Sequence, residues 1–180
     1  MIKHLDLGCG ENVFDIKNIV NLSMLLDVSE DVQSFGVDFL SKKDNIFSAD
    51  LSIENLPFNS DTFNIVTCLD FLEHIPRINL TNKTNYPFIN LMNEIYRVLK
   101  PEGIFFIKVP VFDDNFFDDP THVNPITPAL LGNYFCTIEK KRPMSPWAKN
   151  YGFSGNFKFI NFIETKRENF KDYIFILSKD

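Results

Sequence analysis

The sequence predicts an α/β fold in which a doubly wound, mostly parallel sheet ends in a C-terminal antiparallel hairpin. Short apolar runs alternate with a helical segment or with long connections, which is typical of parallel strands joined by crossovers. Glycines and acidic residues follow several of these runs, where the carboxyl ends of parallel strands carry ligand sites. The chain has 180 residues and is 44% hydrophobic, which is enough for one buried core. We therefore expect residues 1–180 to form a single domain.

Four apolar runs predict the first four strands of this sheet. The first, Ile2–Leu7, is stopped by a glycine turn, and the second covers residues 34–39. Residues 46–49 form a third, very short strand, and Phe63–Leu69 is a fourth that is apolar enough to be covered on both faces. Between the first two strands, residues 13–33 have only partial helical spacing and predict no clean helix.

The second half of the chain predicts one clear helix, a fifth strand and a terminal hairpin. Apolar residues recur at helical spacing over residues 88–99, Pro87 suits the first turn, and residues 100–103 stop the helix. A fifth strand over residues 104–109 and a long polar and aromatic loop follow. The remaining predicted elements are a short helix over residues 128–135 and hairpin strands over residues 157–164 and 173–178. We expect this order of elements to give a Rossmann-like sheet.

Charge, cysteine content and hydrophobic run length exclude several classes of protein. The 18 basic and 24 acidic residues give a net charge of −6, which argues against a general nucleic-acid binder. Three cysteines without a CxxC spacing exclude a disulfide-rich secreted domain and give no sign of a zinc site. No basic segment leads into an apolar signal sequence, and no run reaches the ~18 apolar residues that span a membrane. We expect a cytoplasmic protein without membrane or nucleic-acid partners, and a homodimer stays open.

The turn after the first strand predicts a ligand site for a molecule without phosphate. Gly8 and Gly10 lack a Cβ, so the backbone there can approach a ligand closely and adopt positive φ. A dinucleotide-binding turn would carry a third glycine, which is missing, and Glu11 would repel a pyrophosphate. An acidic turn suits a cationic or zwitterionic ligand, whose ammonium group Asp6 could meet directly or through water. S-adenosylmethionine has such an ammonium group, a sulfonium and no phosphate.

Carboxylates at the ends of the next strands are candidates for binding a nucleoside. A ribose diol can donate hydrogen bonds to the two oxygens of a carboxylate after the second strand. Two residues compete for this role: Asp38, and Asp27, which lies nearer the usual spacing of ~20 residues after Gly10. Asp50 is a candidate acceptor for the adenine amino group, with Leu51 near the ring.

A series of sequence blocks spans most of the chain. The blocks read HLDLGCG at residues 4–10, GVD at 36–38, ADL at 49–51, LPF at 56–58, DTF at 61–63, DFLEHIP at 70–76 and LMNEIYRVLKPEG at 91–103. In this order they resemble the class I S-adenosylmethionine-dependent methyltransferases. The resemblance favours Asp38 over Asp27, because the short run from Asp38 to Asp50 matches the family. The cofactor-binding residues that it implies are Asp6, Gly8, Cys9, Gly10, Asp38, Phe39, Asp50, Leu51, Leu69 and Asp70.

Two later blocks and two departures refine the resemblance. DPTHVN at residues 119–124 and PWAK at 146–149 resemble a smaller branch, associated with methylation of bacterial surface polysaccharides and other small metabolites. Asn12 replaces the third glycine common in the family, and residues 13–33 fit no clean family helix. The cofactor strands, helix and hairpin use nearly all of the chain. Acceptor specificity is therefore expected mainly in residues 110–152, as an insertion on the substrate side.

The chain's three histidines include two candidates for a catalytic base. Removing the proton of an acceptor hydroxyl calls for a group that is poised near neutral pH, and histidine is the best suited. His4 lies in the first predicted strand and is expected to be structural, whereas His74 and His122 follow the fourth and fifth strands and should face the cleft. We predict His122 as the base and His74 as the second candidate. His74 could instead orient the cofactor or cap a helix.

Further polar and aromatic residues lie around these histidines. Asp118, Asp119 and His122, with Glu73 or His74, offer ligand types that suit a divalent metal. Asp and Pro clusters more often shape turns, so we expect no metal site. The candidate acceptor-pocket residues are Phe112, Phe116, Phe117, Trp147 and Tyr151. A basic run either attracts an anionic acceptor or is a solvated face; it comprises Lys140, Lys141 and Arg142.

The function predicted from the sequence is S-adenosylmethionine-dependent methyl transfer to a small acceptor. O-methylation of a sugar, nucleotide-linked sugar or phosphoryl compound in surface-polysaccharide biosynthesis fits best. A nucleic-acid methyltransferase is disfavoured by the net charge and by LDFL at residues 69–72, where base-amine enzymes carry an Asp/Asn-Pro-Pro-aromatic motif. A nicotinamide oxidoreductase needs the phosphate-binding turn that is missing. The alternative is a cofactor-binding, non-catalytic partner subunit of another methyltransferase.

Overall fold

A computed structural model describes residues 1–19, 31–40, 43–80, 83–137, 146–167 and 170–180. Eight strands form one sheet: β1 (Ile2–Leu7), β2 (Val32–Asp38), β3 (Ile46–Ser48), β4 (Phe63–Leu69), β5 (Leu99–Pro110), β6 (Cys136–Thr137), β7 (Phe157–Arg167) and β8 (Phe170–Lys179). The helices are α1 (Pro87–Val98), α2 (Pro128–Leu130), which continues as a π-helical turn over Leu131–Phe135, and α3 (Pro146–Asn150). Short 3-10 turns cover Ile16–Asn18, Leu72–His74 and Phe116–Asp118.

The strand order is β3-β2-β1-β4-β5-β8-β7-β6. Strands β1 to β5 pair in parallel, and β8 lies antiparallel between β5 and β7. The chain thus has the predicted α/β fold, with a mostly parallel sheet and a C-terminal antiparallel hairpin. Because β1 to β5 are parallel, their carboxyl ends meet along one edge of the sheet, which we call the cleft edge.

The structure confirms the order of the predicted elements, but β5 begins five residues before its predicted start and only Pro128–Leu130 of the predicted helix over residues 128–135 is α-helical. β1 and β4 have the predicted bounds, and β2 begins two residues before its predicted start. α1 begins at Pro87 and passes directly into β5, where residues 100–103 form a bulge between the Phe63–Leu99 and Ile65–Ile104 pairs. The hairpin strands are longer than predicted, and the two-residue strand β6 was not predicted.

Phenylalanine fills much of the core on the α1 face of the sheet. Three buried rings pack in a row: Phe105, Phe157 and Phe153. The ring centroids of Phe105 and Phe153 each lie 6.1 Å from that of Phe157. The opposite face carries a smaller cluster, in which Ile16 packs with Ile65 and other apolar residues. Within the described ranges, no helix is long and apolar enough to span a membrane.

Candidate active site

The glycine turn after β1 is shaped by close contacts with its neighbours. Gly8 has φ +68° and leaves no room for a side chain, because a Cβ there would overlap the Phe71 ring. Gly10 has φ +59°, but no heavy atom lies within 4 Å of the position of a Cβ. The backbone at Gly10 therefore faces open space, which fits the close approach of a ligand. Gly36 in β2, like Gly8, has no room for a side chain, because a Cβ there would overlap the Cys9 sulfur.

Asp38 links this turn to the end of β2. Its Oδ2 accepts a hydrogen bond from the Gly10 N–H at 3.0 Å, and its Oδ1 accepts one from the Leu40 N–H at 3.0 Å. A cavity of about 250 Å³ opens beside it, which we call the smaller cavity. The structure brings four of the predicted cofactor residues to this cavity: Asp38, Phe39, Asp50 and Leu51. The rival ribose ligand Asp27 lies outside the described residues.

Asp6 lies beneath the turn with both carboxylate oxygens engaged. The Thr67 hydroxyl donates to Oδ1 at 2.6 Å, and the Phe14 N–H donates to Oδ2 at 2.8 Å. Because the hydroxyl hydrogen of Thr67 is used in this way, the His4 Nε2–H donates to Thr67 Oγ1 at 2.8 Å. Burial lowers the pKa of His4 to about 4 and raises the pKa of Asp6. In this geometry Asp6 shapes the turn, and its contact with an ammonium group stays a prediction.

Asp70 directly follows β4 and has an uncommon backbone conformation. Its φ is +53°, in the left-handed region that a residue other than glycine rarely adopts. Its N–H donates to the Lys108 carbonyl at 2.8 Å, and its Oδ2 lies 2.5 Å from Lys108 Nζ. These contacts hold Asp70 in place on a cavity of about 580 Å³, which we call the larger cavity.

The larger cavity holds both predicted catalytic histidines. His74 and His122 line it together with Glu73 and Phe116, and their imidazole rings meet edge to face at 4.8 Å. His74 also lines the smaller cavity, so it stands where the two cavities adjoin. The structure therefore places the predicted bases next to the predicted cofactor residues.

Glu73 is the central acidic group of this region. Its side chain is only 1% exposed, and both of its oxygens are buried without a hydrogen-bond partner. Burial raises the pKa of Glu73 to about 8. The ligand atoms of Glu73, His74 and His122 lie within 4.8 Å of one another, and we call these three residues the Glu73 cluster.

Backbone contacts hold the loop after β5 against the 3-10 turn after β4. The Glu73 carbonyl accepts hydrogen bonds from the N–H groups of Val123 and Asn124, each at 2.9 Å. Arg77 donates to the Asn124 side chain and, at 2.7 Å, to the Pro125 carbonyl. Sequence reasoning missed Arg77 and Asn124 as residues that position the site, although Asn124 stands in the quoted DPTHVN block.

The predicted acceptor-pocket residues divide into two groups. Phe112, Phe116 and Phe117 pack edge to face with one another, and Phe116 lines the larger cavity. Tyr151 lines a separate cavity of about 300 Å³, and Trp147 lines neither cavity at the cleft edge. The expectation that all five share one pocket is wrong, since the described chain places α3 and Tyr151 away from the larger cavity. The basic run at residues 140–142 lies outside the described residues.

The comparison with protein families decides the classification of the chain. The family described as "Methyltransferase domain" matches residues 5–107, which is more than half of the chain. The protein belongs to this methyltransferase family. The match covers the second half of β1, all of β2 to β4 and α1, and most of β5. It therefore includes the predicted cofactor residues that line the two cavities.

Solved structures share the fold of this methyltransferase domain at low sequence identity. An S-adenosylmethionine-dependent methyltransferase from Archaeoglobus fulgidus is 19% identical with a TM-score of 0.54, covering 99% of this chain and 86% of that one. One from Methanosarcina mazei is 14% identical with a TM-score of 0.53, covering 99% and 92%. The [4+2]-cyclase SpnF is 14% identical with a TM-score of 0.56, covering 99% and 74%. No curated protein sequence matches the chain.

The cofactor of the methyltransferase domain is S-adenosylmethionine. The site fits it: Gly10 faces open space at the cleft edge, and the Asp38 and Asp50 carboxylates lie beside one cavity. The predicted assignment of individual residues to parts of the cofactor stays a prediction.

Proposed function

We propose that this methyltransferase transfers a methyl group from S-adenosylmethionine to a hydroxyl of a small acceptor, such as a sugar in surface-polysaccharide biosynthesis. One observation carries the proposal. A cavity with the nucleoside-type carboxylates Asp38 and Asp50 adjoins, at His74, a larger cavity that holds two histidines. Methyl transfer needs a donor and an acceptor side by side in fixed orientation, and adjoining cavities supply that arrangement.

The residues of the smaller cavity hold the cofactor. Asp38 accepts hydrogen bonds from the ribose hydroxyls, Asp50 binds the adenine amino group, and Leu51 packs on the ring. The Gly8–Gly10 turn lets the backbone approach the amino-acid end. When bound, S-adenosylmethionine supplies a methyl group already activated by its sulfonium.

The residues of the larger cavity hold and activate the acceptor. The acceptor hydroxyl must lose its proton, and His122 Nε2 is the group that we predict to take part in this step. Its Nδ1 lies 2.8 Å from the Phe116 carbonyl and donates to it, so in the neutral ring Nε2 keeps the lone pair that a base needs. Val111, Phe116 and Phe170 give the larger cavity an apolar wall suited to the carbon face of a sugar.

The cofactor half of the proposal is tested by calorimetry with S-adenosylmethionine. Asp38→Ala should weaken binding at least tenfold, whereas Asp44→Ala, a change of the same residue type at an exposed position, should leave it unchanged. Absence of binding at millimolar cofactor contradicts the proposal. Loss of binding in Asp27→Ala but not in Asp38→Ala would move the ribose ligand to Asp27.

The acceptor half is tested by methyl transfer from labelled S-adenosylmethionine to a panel of sugars and nucleotide-linked sugars. His122→Ala should lower turnover by about 100-fold or more, in the range of general acid–base groups, with cofactor affinity unchanged. An unchanged rate removes His122 from the chemistry. Turnover that requires a second methyltransferase chain would instead support a partner-subunit role.

A further inference from the structure

The Glu73 cluster has the donor set of a metal site, and its three ligand atoms lie within 4.8 Å of one another. His122 Nε2 lies 3.9 Å from Glu73 Oε1 and 3.8 Å from Asp119 Oδ2. Both separations are too long for a direct hydrogen bond, which needs about 3.2 Å or less. Two ligand atoms that share one ion at ~2.1 Å each lie about 3 to 4 Å apart, so the two separations from His122 fit a shared ion. His74, whose ligand atom lies within 4.8 Å of the other two, would move inward by about half an ångström to bind the same ion.

Hydrogen bonds fix the ring protons of both histidines on the side away from a metal. His122 Nδ1 faces the Phe116 carbonyl, which can only accept. His74 Nδ1 faces the Thr121 carbonyl at 3.3 Å and Thr121 Oγ1 at 2.9 Å. Thr121 Oγ1 gives its own hydrogen to Asp119 Oδ1 at 2.5 Å and therefore accepts from His74. In its neutral form each imidazole therefore donates from Nδ1 to oxygen and keeps a lone pair on Nε2, as metal-binding histidines do.

Glu73 supplies the independent sign that a cation belongs here. Two buried carboxyl oxygens without a partner are costly in either protonation state, because either a hydrogen bond is left unmade or a charge is left uncompensated. In the neutral imidazole, the lone pair of His122 Nε2 lies within 4 Å of the Glu73 and Asp119 oxygens, which are themselves electron-rich. A cation among the three residues would give the Glu73 oxygens a partner and remove this repulsion.

We propose that Glu73, His74 and His122 bind one divalent transition-metal ion, with Asp119 at the edge of the site. Two imidazoles and one carboxylate suit ions such as Mn²⁺, Co²⁺ and Zn²⁺ and leave coordination positions open toward the larger cavity. The inference reverses the expectation of no metal site, and its catalytic meaning rests on the proposed function. An acceptor hydroxyl bound to the ion would have a lowered pKa and release its proton to solvent, so that His122 acts as a ligand in place of a free base.

The experiment measures metal binding without any acceptor. Protein stripped with a chelator and dialysed is titrated with Mn²⁺, followed by the loss of the free-ion electron paramagnetic resonance signal, and with Co²⁺, followed by visible absorption. We expect one ion per chain, and at least a tenfold weaker affinity in Glu73→Gln and in His122→Ala. Asp113→Asn, which removes a charge from the same cavity, should bind the ion like the unaltered protein.

Binding of S-adenosylmethionine to each variant, measured by calorimetry, shows that the variant is folded and tests the proposed function separately. No Mn²⁺ or Co²⁺ binding at millimolar ion overturns the metal site while leaving the proposed function intact. Equal affinity in Glu73→Gln and the unaltered protein also overturns it. If the unaltered protein binds the metal ion but not S-adenosylmethionine, that result contradicts the proposed function and leaves the metal site standing.

Discussion

His4 shows how a buried polar residue can support the cofactor turn without touching the cofactor. Its ring joins Ser34 on β2 to Thr67 on β4, and Thr67 in turn binds Asp6. All of these contacts involve the strands on either side of β1, directly beneath the glycine turn. Burial disfavours a charged imidazolium at this position more than the nearby Asp15 carboxylate favours it, so the network holds His4 in its neutral form.

This preference for the neutral form makes His4 a source of acid sensitivity. Its pKa is lowered from 6.5 to about 4, so its stabilising contribution is fully present above pH 6.5 and is lost as the pH falls toward 4. The unfolded chain takes up a proton in that window and the folded protein does not. At about 1.4 kcal/mol per pH unit, the loss amounts to about 3 kcal/mol.

Chemical denaturation at several pH values checks this prediction. His4→Gln keeps an N–H donor but cannot titrate, so its free energy of unfolding should fall less steeply between pH 6.5 and 4 than that of the unaltered protein. Both proteins contain the same carboxyl groups, including Asp6, so the difference between their pH curves cancels the contribution of these groups to the free energy of unfolding. Parallel pH curves would show that His4 does not carry the effect.

At the scale of elements, the glycine turn depends on a gap in the neighbouring strand. Gly36 in β2 makes room for the Cys9 sulfur, and Val13 Cγ2 would lie 2.9 Å from a Cβ at that position. We expect Gly36→Ala to displace Cys9 and the turn, which costs about 1–3 kcal/mol of stability as overpacking does. The affinity for S-adenosylmethionine should fall as well, measured by calorimetry.

A double variant separates this steric cause from a general loss of strand structure. Cys9→Ala removes the sulfur that meets the new methyl group, so the Cys9→Ala/Gly36→Ala protein should regain stability relative to Gly36→Ala. If the two changes are simply additive, the contact between Cys9 and residue 36 is not the reason.

The loop after β5 depends on Arg77 for its place against the 3-10 turn. Arg77 binds Asn124 and the Pro125 carbonyl, close to His122 in sequence. We expect Arg77→Ala to lower turnover about tenfold and to increase hydrogen exchange in residues 116–127, with S-adenosylmethionine affinity unchanged. Arg77→Lys keeps the charge but not the paired donors, so its turnover and its hydrogen exchange should lie between those of Arg77→Ala and the unaltered protein. Unchanged exchange in this loop would contradict the positioning role.

The elements that could be predicted from sequence are those with a local signal. Ile2–Leu7 and Phe63–Leu69 are apolar runs bounded by glycine or acidic residues. Asp38 and Asp50 could be predicted as site residues because they lie at or just after the ends of predicted strands. The contact between the Glu73 carbonyl and the 123–124 backbone has no such signal, because it joins loops that are distant in the chain. For the same reason the sequence offered Asp118 as a metal ligand, whereas the structure groups Glu73 with both histidines.

At the scale of the whole molecule, the larger cavity is acidic. Its described lining includes Asp70, Asp113, Asp118 and Asp119, and Lys171 is the basic residue beside them. The net charge of −6 has the same sign. Without a bound ion, these carboxylates repel an anionic acceptor over the Debye length of about 8 Å at physiological ionic strength. We therefore expect a neutral polyhydroxylated acceptor to be preferred over its phosphorylated counterpart.

The preference can be measured with a matched pair of acceptors, a free sugar and the same sugar carrying a phosphate. The KM of the phosphorylated acceptor should be at least about tenfold higher at low salt, and the difference should shrink at high salt, because screening weakens the repulsion. Asp113→Asn combined with Asp118→Asn should reduce the difference without changing the KM of the neutral sugar. If the phosphorylated acceptor is preferred, the repulsion from this lining does not control acceptor choice, and basic groups outside the described residues become the ones to test.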